Sequence, residues 1–172
     1  MTASQGRRNR WFRVQPIGYV QRPGAAEPDP EAFYDPWMET ALEILPRWAD
    51  ALAGIEEYSH LVVIVWLDRA HRVRKARSFV PEGREGVPEV GLFATRTPRR
   101  PNPIGISVPR LLRREGTTLW VSGIDAWPGT PILDIKGYAP RDDLRTDATV
   151  PEWLERLWAA HDAERSGGEA TG

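Results

Sequence analysis

The chain has no cysteine among its 172 residues and only three histidines. The absence of cysteine excludes disulfides, thiolate zinc sites and cysteine nucleophiles, and it is typical of proteins of a reducing cytosol. The histidines are far apart in the sequence and no H-E-x-x-H motif is present, so we expect no metal site. We therefore expect a cytoplasmic protein whose chemistry uses neither a thiol nor a metal ion.

Long apolar runs and an excess of one charge are also missing. The longest apolar run, Leu61–Leu67, is too short to span a bilayer, and no apolar segment follows the basic Met1–Arg10. The formal net charge is −1, so any binding of nucleic acid requires a local basic patch. With 41% hydrophobic and 27% charged residues, the composition predicts one globular domain over residues 14–165, with tails at 1–13 and 166–172.

Proline is plentiful, with 16 residues, and three prolines stiffen the segment Gly91–Gly105, which reads G-L-F-A-T-R-T-P-R-R-P-N-P-I-G. Each proline fixes its own φ and restricts the residue before it. The segment begins with a predicted strand, Leu92–Thr95, and then places three arginines around one asparagine. A polar loop that is ordered during folding suits the recognition of a small anionic or polar ligand. The alternative is a proline-rich connector whose arginines are solvated.

A second informative segment, Gly123–Tyr138, contains the predicted strand P-I-L-D-I-K. Period-2 alternation predicts two faces, which are Pro131, Leu133 and Ile135 on one side and Ile132, Asp134 and Lys136 on the other. Asp134 and Lys136 are therefore expected side by side. They form either a solvated ion pair of little energetic value or a pair of partners for a ligand that carries both an amine and a carboxylate.

The remaining elements follow from periodicity and from turn residues. The expected strands are Val14–Gln21, Thr40–Leu45, Tyr58–Asp68, Ile106–Glu115 and Thr117–Gly123. The continuous apolar run in Tyr58–Asp68 is typical of a central strand covered on both faces. Pro46–Ala53 is expected to form one or two helical turns, and Pro151–Ala163 a C-terminal amphipathic helix with an apolar stripe.

The segments F-A-T-R-T-P-R-R-P-N-P-I-G and D-x-x-x-G-T-P-I-L-D-I-K-x-Y together resemble the TrmO/TsaA-like family. L-A-G-I-E-E-Y-S-H-L (Leu52–Leu61) and I-G-Y-V (Ile17–Val20) extend this resemblance, which runs from Val14 to Pro140. The best-known members are S-adenosylmethionine-dependent methyltransferases that N-methylate threonylcarbamoyladenosine in the tRNA anticodon loop. The resemblance implies a mainly β fold, a small antiparallel β-barrel with short helices and not a Rossmann fold. It also implies a homodimer with the cofactor near the subunit contact.

The resemblance further implies that the proline-rich loop binds S-adenosylmethionine. Arg96 or Arg100 is expected to hold the carboxylate of this cofactor through a bidentate fork, and Asp134 its ammonium group. The other cofactor-binding candidates belong to the same loop; they are Phe93, Thr97, Asn102, Pro103, Ile104 and Gly105. The candidates for removing a proton from the nucleophilic nitrogen are Asp134, Lys136, Tyr138 and His60, and the sequence does not rank them. Ser59 and His60 match the S-H of the family.

Arg69–Arg77 contains five cationic side chains and one histidine in nine residues. Charge on both faces predicts an exposed hairpin arm, which is either a solvated ribbon or a patch that contacts RNA phosphates without reading sequence. The candidate RNA-binding residues are Arg72, Arg74, Lys75 and Arg77.

The chain departs from the family pattern at several positions, which are Gln21–Pro23, Thr97, Arg99, Trp127, Pro128 and Gly137. Gly137 stands where proline is usual and is expected to loosen a turn. Three functions remain open. The chain is a methyltransferase of tRNA threonylcarbamoyladenosine, a methyltransferase of a small molecule on the same fold, or a non-catalytic module that binds the cofactor or RNA.

Overall fold

The computed structural model describes residues 12–22, 38–70 and 77–168. Within these residues the strands are β1 (Gly18–Gln21), β2 (Glu39–Ile44), β3 (Leu61–Trp66), β4 (Ser78–Phe79), β5 (Val90–Gly91), β6 (Ile104–Ser107), β7 (Arg110–Glu115), β8 (Thr118–Ser122) and β9 (Pro131–Gly137). The α-helices are α1 (Pro140–Asp143) and α2 (Glu152–Gly168), and 3₁₀ helices span Pro46–Leu52, Ile55–Glu57, Pro81–Gly83 and Leu92–Ala94.

The chain forms two compact units. The first comprises Met1–Asp68 and Gly105–Tyr138, and the second comprises Arg69–Ile104 and Ala139–Gly172. The single domain expected over residues 14–165 stays a prediction. In the described part of the chain, no helix is long and apolar enough to cross a membrane.

The first unit contains a sheet whose seven described strands lie in the order β6-β3-β9-β1-β2-β8-β7. The described registers of neighbouring strands are antiparallel, which confirms a mainly β fold that is not Rossmann-like. Within residues 12–22, 38–70 and 77–168, the closed barrel that the resemblance implied is not found. In the described residues, β6 lies next to β3, and a bridge between His60 and Arg110 joins β7 to the segment just before β3.

The core of the first unit is built from alternate residues of its strands. Residues that are at most 1% exposed include Val20, Leu42, Leu61, Val63, Val65, Leu119, Val121 and Ile132. Burial on both faces of β3 was a wrong expectation, because Val62, Ile64 and Trp66 are only half-buried. The continuous apolar run reflects a core on one face of β3 and a partly covered apolar surface on the other.

Two other expectations about strands were wrong. Leu92–Ala94 forms a 3₁₀ turn and not a strand, because the carbonyl of Leu92 accepts the N–H of Thr95 at 3.3 Å. The expected strand Ile106–Glu115 is divided into β6 and β7. Pro109, which lies between them, has no N–H to donate to a continuous ladder. The expected hairpin turn at Glu115-Gly116 is confirmed, since β7 pairs with β8 and Gly116 has φ of +61°.

The second unit contains the antiparallel pair β4–β5, helices α1 and α2, and the proline-rich loop. Helix α2 continues past the expected end at Ala163, so residues 166–168 are helical and not part of a tail. In its predicted apolar stripe Leu157 is buried, whereas Trp158 is half exposed. Arg84 pairs with Glu164, and His161 Nε2 lies 3.0 Å from Glu82, so two side-chain contacts hold α2 to the segment around Pro81–Gly83.

Candidate active site

Two of the residues predicted to handle protons lie on one face of strand β9, and a third directly follows the strand. Asp134 pairs with Ile64 of β3 and Lys136 pairs with Val62, whereas Val63 and its partner Ile135 belong to the core side. Residues directly opposite each other in an antiparallel pair share a face, and alternate residues along a strand return to it. Asp134 and Lys136 therefore share one face, as predicted. This face points away from the core, and Tyr138 follows them in the same alternation.

His60 joins this face from the neighbouring strand. The N–H of Tyr138 donates to the carbonyl of His60 at 3.0 Å, directly after the pair formed by Leu61 and Gly137. The two rings meet edge to face, with centroids 6.4 Å apart and an interplanar angle of 65°. The structure thus brings together Asp134, Lys136, Tyr138 and His60, which the sequence named as separate candidates. We call this surface, formed by these four residues, the outer face of β3–β9.

A β-bulge in β9 decides which residues reach the outer face. The register shifts between Ile64 and Val65, so that Val65 pairs with Ile132 and Leu133 is the extra residue. A bulge of this kind moves the residues beyond it to the opposite side of the sheet. Ile132 is consequently buried in the core at 0% exposure. The expectation that it shares a face with Asp134 was wrong.

The carboxylate of Asp134 is engaged at both oxygens. Oδ2 is paired with the ammonium group of Lys136, and Oδ1 accepts the N–H of Ile135 at 2.9 Å. The two side chains are 44% and 61% exposed, so the ion pair contributes little to the free energy of unfolding. What the pair provides is a local arrangement in which an acceptor and a donor stand side by side on one strand.

Gly137 has a packing role that the sequence did not indicate. It is the last residue of β9 and pairs with Leu61, so it does not lie in a turn, and the expectation of a loosened turn was wrong. A Cβ placed on Gly137 would overlap the aromatic ring of Tyr58. Glycine at this position lets the Tyr58 ring lie directly on the strand.

The proline-rich loop of the second unit is held by its own side chains. Nη1 of Arg100 donates to the carbonyl of Thr95 at 2.7 Å and to that of Leu92 at 3.5 Å. The hydroxyl of Thr95 also donates to Leu92, at 2.9 Å. The guanidinium carbon of Arg100 lies 5.6 Å from the centre of the Phe93 ring. Arg100 therefore stabilises the turn that begins the loop, because its Nη1 donates its hydrogen bonds to main-chain carbonyls.

The other candidates of this loop lie as follows. Phe93 is 79% exposed although Arg100 covers part of its ring, and Pro103 is buried. Thr97 Oγ1 accepts the N–H of Arg99 at 3.4 Å, and the carbonyl of Asn102 accepts the N–H of Ile104 at 2.8 Å. The loop thus presents an exposed aromatic ring on a segment ordered by hydrogen bonds and prolines. A planar group is well suited to stack on such a ring.

Gly105 is explained by strand packing. Its φ is not positive, and a Cβ at this position would come 2.9 Å from Cγ2 of Val65 and 3.3 Å from Cδ2 of Leu67. Close approach to β3 therefore favours glycine here. Contact between its main chain and a cofactor stays a prediction.

The RNA-binding prediction falls mostly outside the described residues. Arg72, Arg74 and Lys75 lie there, and the structure describes only Arg77, which is exposed and whose carbonyl accepts the N–H of Leu92 at 2.9 Å. Within the ranges 12–22, 38–70 and 77–168, no group of three or more histidine, aspartate or glutamate side chains is arranged to hold a metal ion.

Arg110 is a residue of this site that was not among the candidates predicted from the sequence. It is exposed, but the bridge of its main chain to His60 sets it beside the outer face of β3–β9. The segments 58–61 and 109–111 are distant in sequence, and no local pattern predicts that they pair. The dipeptide Ser59-His60 was found only through its match to a family motif.

Comparisons with known proteins find similar sequences and similar structures. The model of the family described as tRNA-methyltransferase O N-terminal domain matches residues 30–144. A protein of Archaeoglobus fulgidus named S-adenosyl-L-methionine-binding protein is 41% identical over 133 residues, which are 76% of this chain and 91% of that protein. A relative from Pyrococcus abyssi is 38% identical over 144 residues, 83% of this chain and 76% of its own.

Solved structures show the same fold. The crystal structure of TrmO from Pseudomonas aeruginosa superposes with a TM-score of 0.62 at 33% identity and covers 83% of this chain. The present chain spans 62% of the length of that TrmO chain.

Proposed function

The chain belongs to the tRNA-methyltransferase O N-terminal domain family, and we propose that it N-methylates threonylcarbamoyladenosine in the anticodon loop of tRNA. Membership of this family makes it an S-adenosylmethionine-dependent methyltransferase, and its relatives include S-adenosylmethionine-binding proteins. What we propose beyond family membership is the identity of the methyl acceptor.

The proline-rich loop has the properties needed to hold the methyl donor. Phe93 offers an exposed ring for a purine, and the exposed Arg96 is the candidate partner for a carboxylate. Thr97, Asn102 and the main chain around them supply polar groups on a segment that is already ordered. Because this ordering is completed during folding, it does not weaken binding. Asp134 stays the predicted partner of the ammonium group.

When bound, S-adenosylmethionine supplies a methyl group on a positively charged sulfur, so that an N–C bond forms while an S–C bond breaks and its electron pair stays on sulfur. The nucleophilic nitrogen of threonylcarbamoyladenosine carries a proton that must leave during this transfer. A positioned base accelerates such a step. The outer face of β3–β9 places four side chains that accept, donate or stabilise protons within one short stretch of sheet, over a half-buried apolar surface.

This grouping on one face, in a chain of this family, is the observation that carries the proposal. The four candidates come from two strands, and their convergence follows from the register of β3 and β9. A packing role alone does not call for an acid, a base, a phenol and an imidazole together on a half-exposed surface, since such groups are usually scattered among solvated positions.

The test uses the purified chain, S-adenosylmethionine with a labelled methyl group, and total tRNA. We expect label in the tRNA, and nucleoside mass spectrometry should find it on threonylcarbamoyladenosine. The control is the same tRNA prepared without the threonylcarbamoyl modification, which should stay unlabelled. Formation of S-adenosylhomocysteine with a small-molecule extract but not with tRNA would replace the proposal by the small-molecule function. Cofactor binding without any S-adenosylhomocysteine would identify a binding module.

We also propose that the protein acts as a cytoplasmic homodimer, with Arg72, Arg74, Lys75 and Arg77 contacting tRNA phosphates. Sedimentation equilibrium tests the dimer, and replacement of the four cations by alanine should weaken tRNA binding and lower its dependence on salt.

A further inference from the structure

His60 is held between two strands by its main chain and by that of its neighbours. The N–H of Leu61 donates to the carbonyl of Pro109 at 3.0 Å, and the N–H of Leu111 donates to the carbonyl of Ser59 at 2.9 Å. On the other side, the carbonyl of His60 accepts the N–H of Tyr138 at 3.0 Å. The backbone at His60 is therefore fixed to β7 and to β9, which leaves only rotation of the side chain.

That rotation is restrained as well. Oγ of Ser59 lies 2.9 Å from Nδ1 of the imidazole, and the ring of Tyr138 lies against it edge to face. Among the described residues, Nε2 of His60 makes no hydrogen bond. One ring nitrogen is therefore held by a hydroxyl and the other is available to a ligand.

This arrangement separates His60 from the other proton-handling candidates. Both carboxylate oxygens of Asp134 already accept hydrogen bonds, and the ammonium group of Lys136 is paired with one of them. A carboxylate engaged in this way has only its remaining lone pairs to offer to a substrate. The imidazole has an unoccupied nitrogen, and histidine is the side chain best suited to exchange protons near neutral pH.

We propose that His60 is the proton acceptor of the methyl transfer and that Ser59 is the residue that positions its ring; this inference rests on the proposed function. In the assigned tautomer, Nδ1–H donates to Oγ of Ser59 and Nε2 carries the lone pair. As the N–C bond forms, the proton of the substrate nitrogen moves to Nε2, and the resulting imidazolium returns that proton to water. The charged groups on the same face of the sheet are Arg110 on β7 and the Asp134–Lys136 pair on β9.

The test compares wild type with Ser59→Ala, Ser59→Thr and His60→Gln. A general base contributes about 10²–10⁴-fold to a rate, so His60→Gln should lower kcat by a factor in that range while S-adenosylmethionine affinity measured by calorimetry stays unchanged. Ser59→Ala should lower kcat about tenfold with little change in KM, because the imidazole stays in place but loses its fixed tautomer. Ser59→Thr retains a hydroxyl and should restore most of the rate.

Nitrogen-15 NMR of the His60 ring gives a readout that does not depend on turnover. Wild type should show a protonated Nδ1 and an unprotonated Nε2, whereas Ser59→Ala should show a mixture of tautomers. A wild-type ring protonated at Nε2, or a His60→Gln variant with unchanged kcat, would overturn the inference. Failure of wild type to methylate tRNA would instead refute the proposed function, and the NMR result would then decide the positioning role of Ser59 separately.

Discussion

The outer face of β3–β9 and the proline-rich loop present their polar side chains in opposite ways. On the strands, the ladder satisfies the main-chain groups of β3 and β9 that it pairs, and Asp134, Lys136 and Tyr138 project from the sheet, where Asp134 also accepts the N–H of Ile135. In the loop, carbonyls that have no ladder partner are satisfied by side chains, and Arg100 is turned onto Leu92 and Thr95. A charged residue in an irregular loop can therefore be part of its scaffold, whereas the charged residues on this strand face pair with each other and stay exposed to solvent.

The largest expected effect is on the free energy of unfolding. It compares a substitution in the tightly packed sheet with one at the open start of the loop. A Cβ on Gly18 of β1 would overlap the carbonyl oxygen of Glu43 and lie 3.0 Å from Cα of Ile44. Because those atoms belong to the paired main chain of β2, Gly18→Ala should lower the free energy of unfolding by about 3 kcal/mol. Urea denaturation followed by circular dichroism measures this loss.

Gly91→Ala is the matched control at the loop. Apart from its two chain neighbours, no atom of the described residues lies within 4 Å of the added Cβ, and Gly91 has an ordinary φ of −64°. Its free energy of unfolding should stay within about 0.5 kcal/mol of wild type. Equal losses for the two variants would show that the sheet and the loop do not differ in rigidity as described.

The second effect concerns binding and tests the role of Arg100. Arg100→Ala removes the donor to Thr95 and the cation beside Phe93, so the loop must be ordered when the cofactor binds. We expect the affinity for S-adenosylmethionine to fall by ~1–3 kcal/mol, measured by calorimetry.

Arg99→Ala is the control for this experiment, because Arg99 is an exposed arginine of the same loop. It should bind the cofactor within about 0.5 kcal/mol of wild type. Unchanged affinity in Arg100→Ala would remove Arg100 both from the scaffold of the site and from its ligands.

The smallest expected effect is on the stability of the protein at acidic pH. The sheet unit has carboxylates in ion pairs, whereas the segment Gly91–Gly105 contains no carboxylate. A hydrogen bond from its own backbone, followed by one from Arg114, lowers the pKa of Glu56 below 4.5. Its contribution to stability is therefore present above pH 4.5 and is lost as the pH falls through the lower folded pKa. Glu56→Gln should show a shallower decline of the urea midpoint below pH 4.5 than wild type.

Glu57→Gln is the matched control, because the residue is the exposed neighbour of Glu56 and makes no ion pair within the described residues. It should follow the wild-type decline. Identical curves for Glu56→Gln and wild type would show that the contact with Arg114 does not contribute to acid stability.

Local patterns were sufficient for much of the site. The stiffness of Gly91–Gly105 follows from its prolines, and the neighbouring positions of Asp134 and Lys136 follow from strand alternation, since both depend on residues close in sequence. The hairpin at Glu115-Gly116 was likewise predictable from its turn residues, whereas the mainly antiparallel β class followed from the resemblance to the family. The family was recognisable because its motif is long and of unusual composition.

Tertiary structure alone decided the remaining features. The bulge that sends Ile132 into the core, the meeting of His60 with Tyr138 and Arg110, and the open edge in place of a closed barrel all depend on which strand pairs with which. The orientation of the Arg100 side chain toward the carbonyl of Thr95 depends on which carbonyls of the folded loop lack a main-chain donor. Pairing between distant segments is set by the sum of many contacts, so no short stretch of sequence contains it.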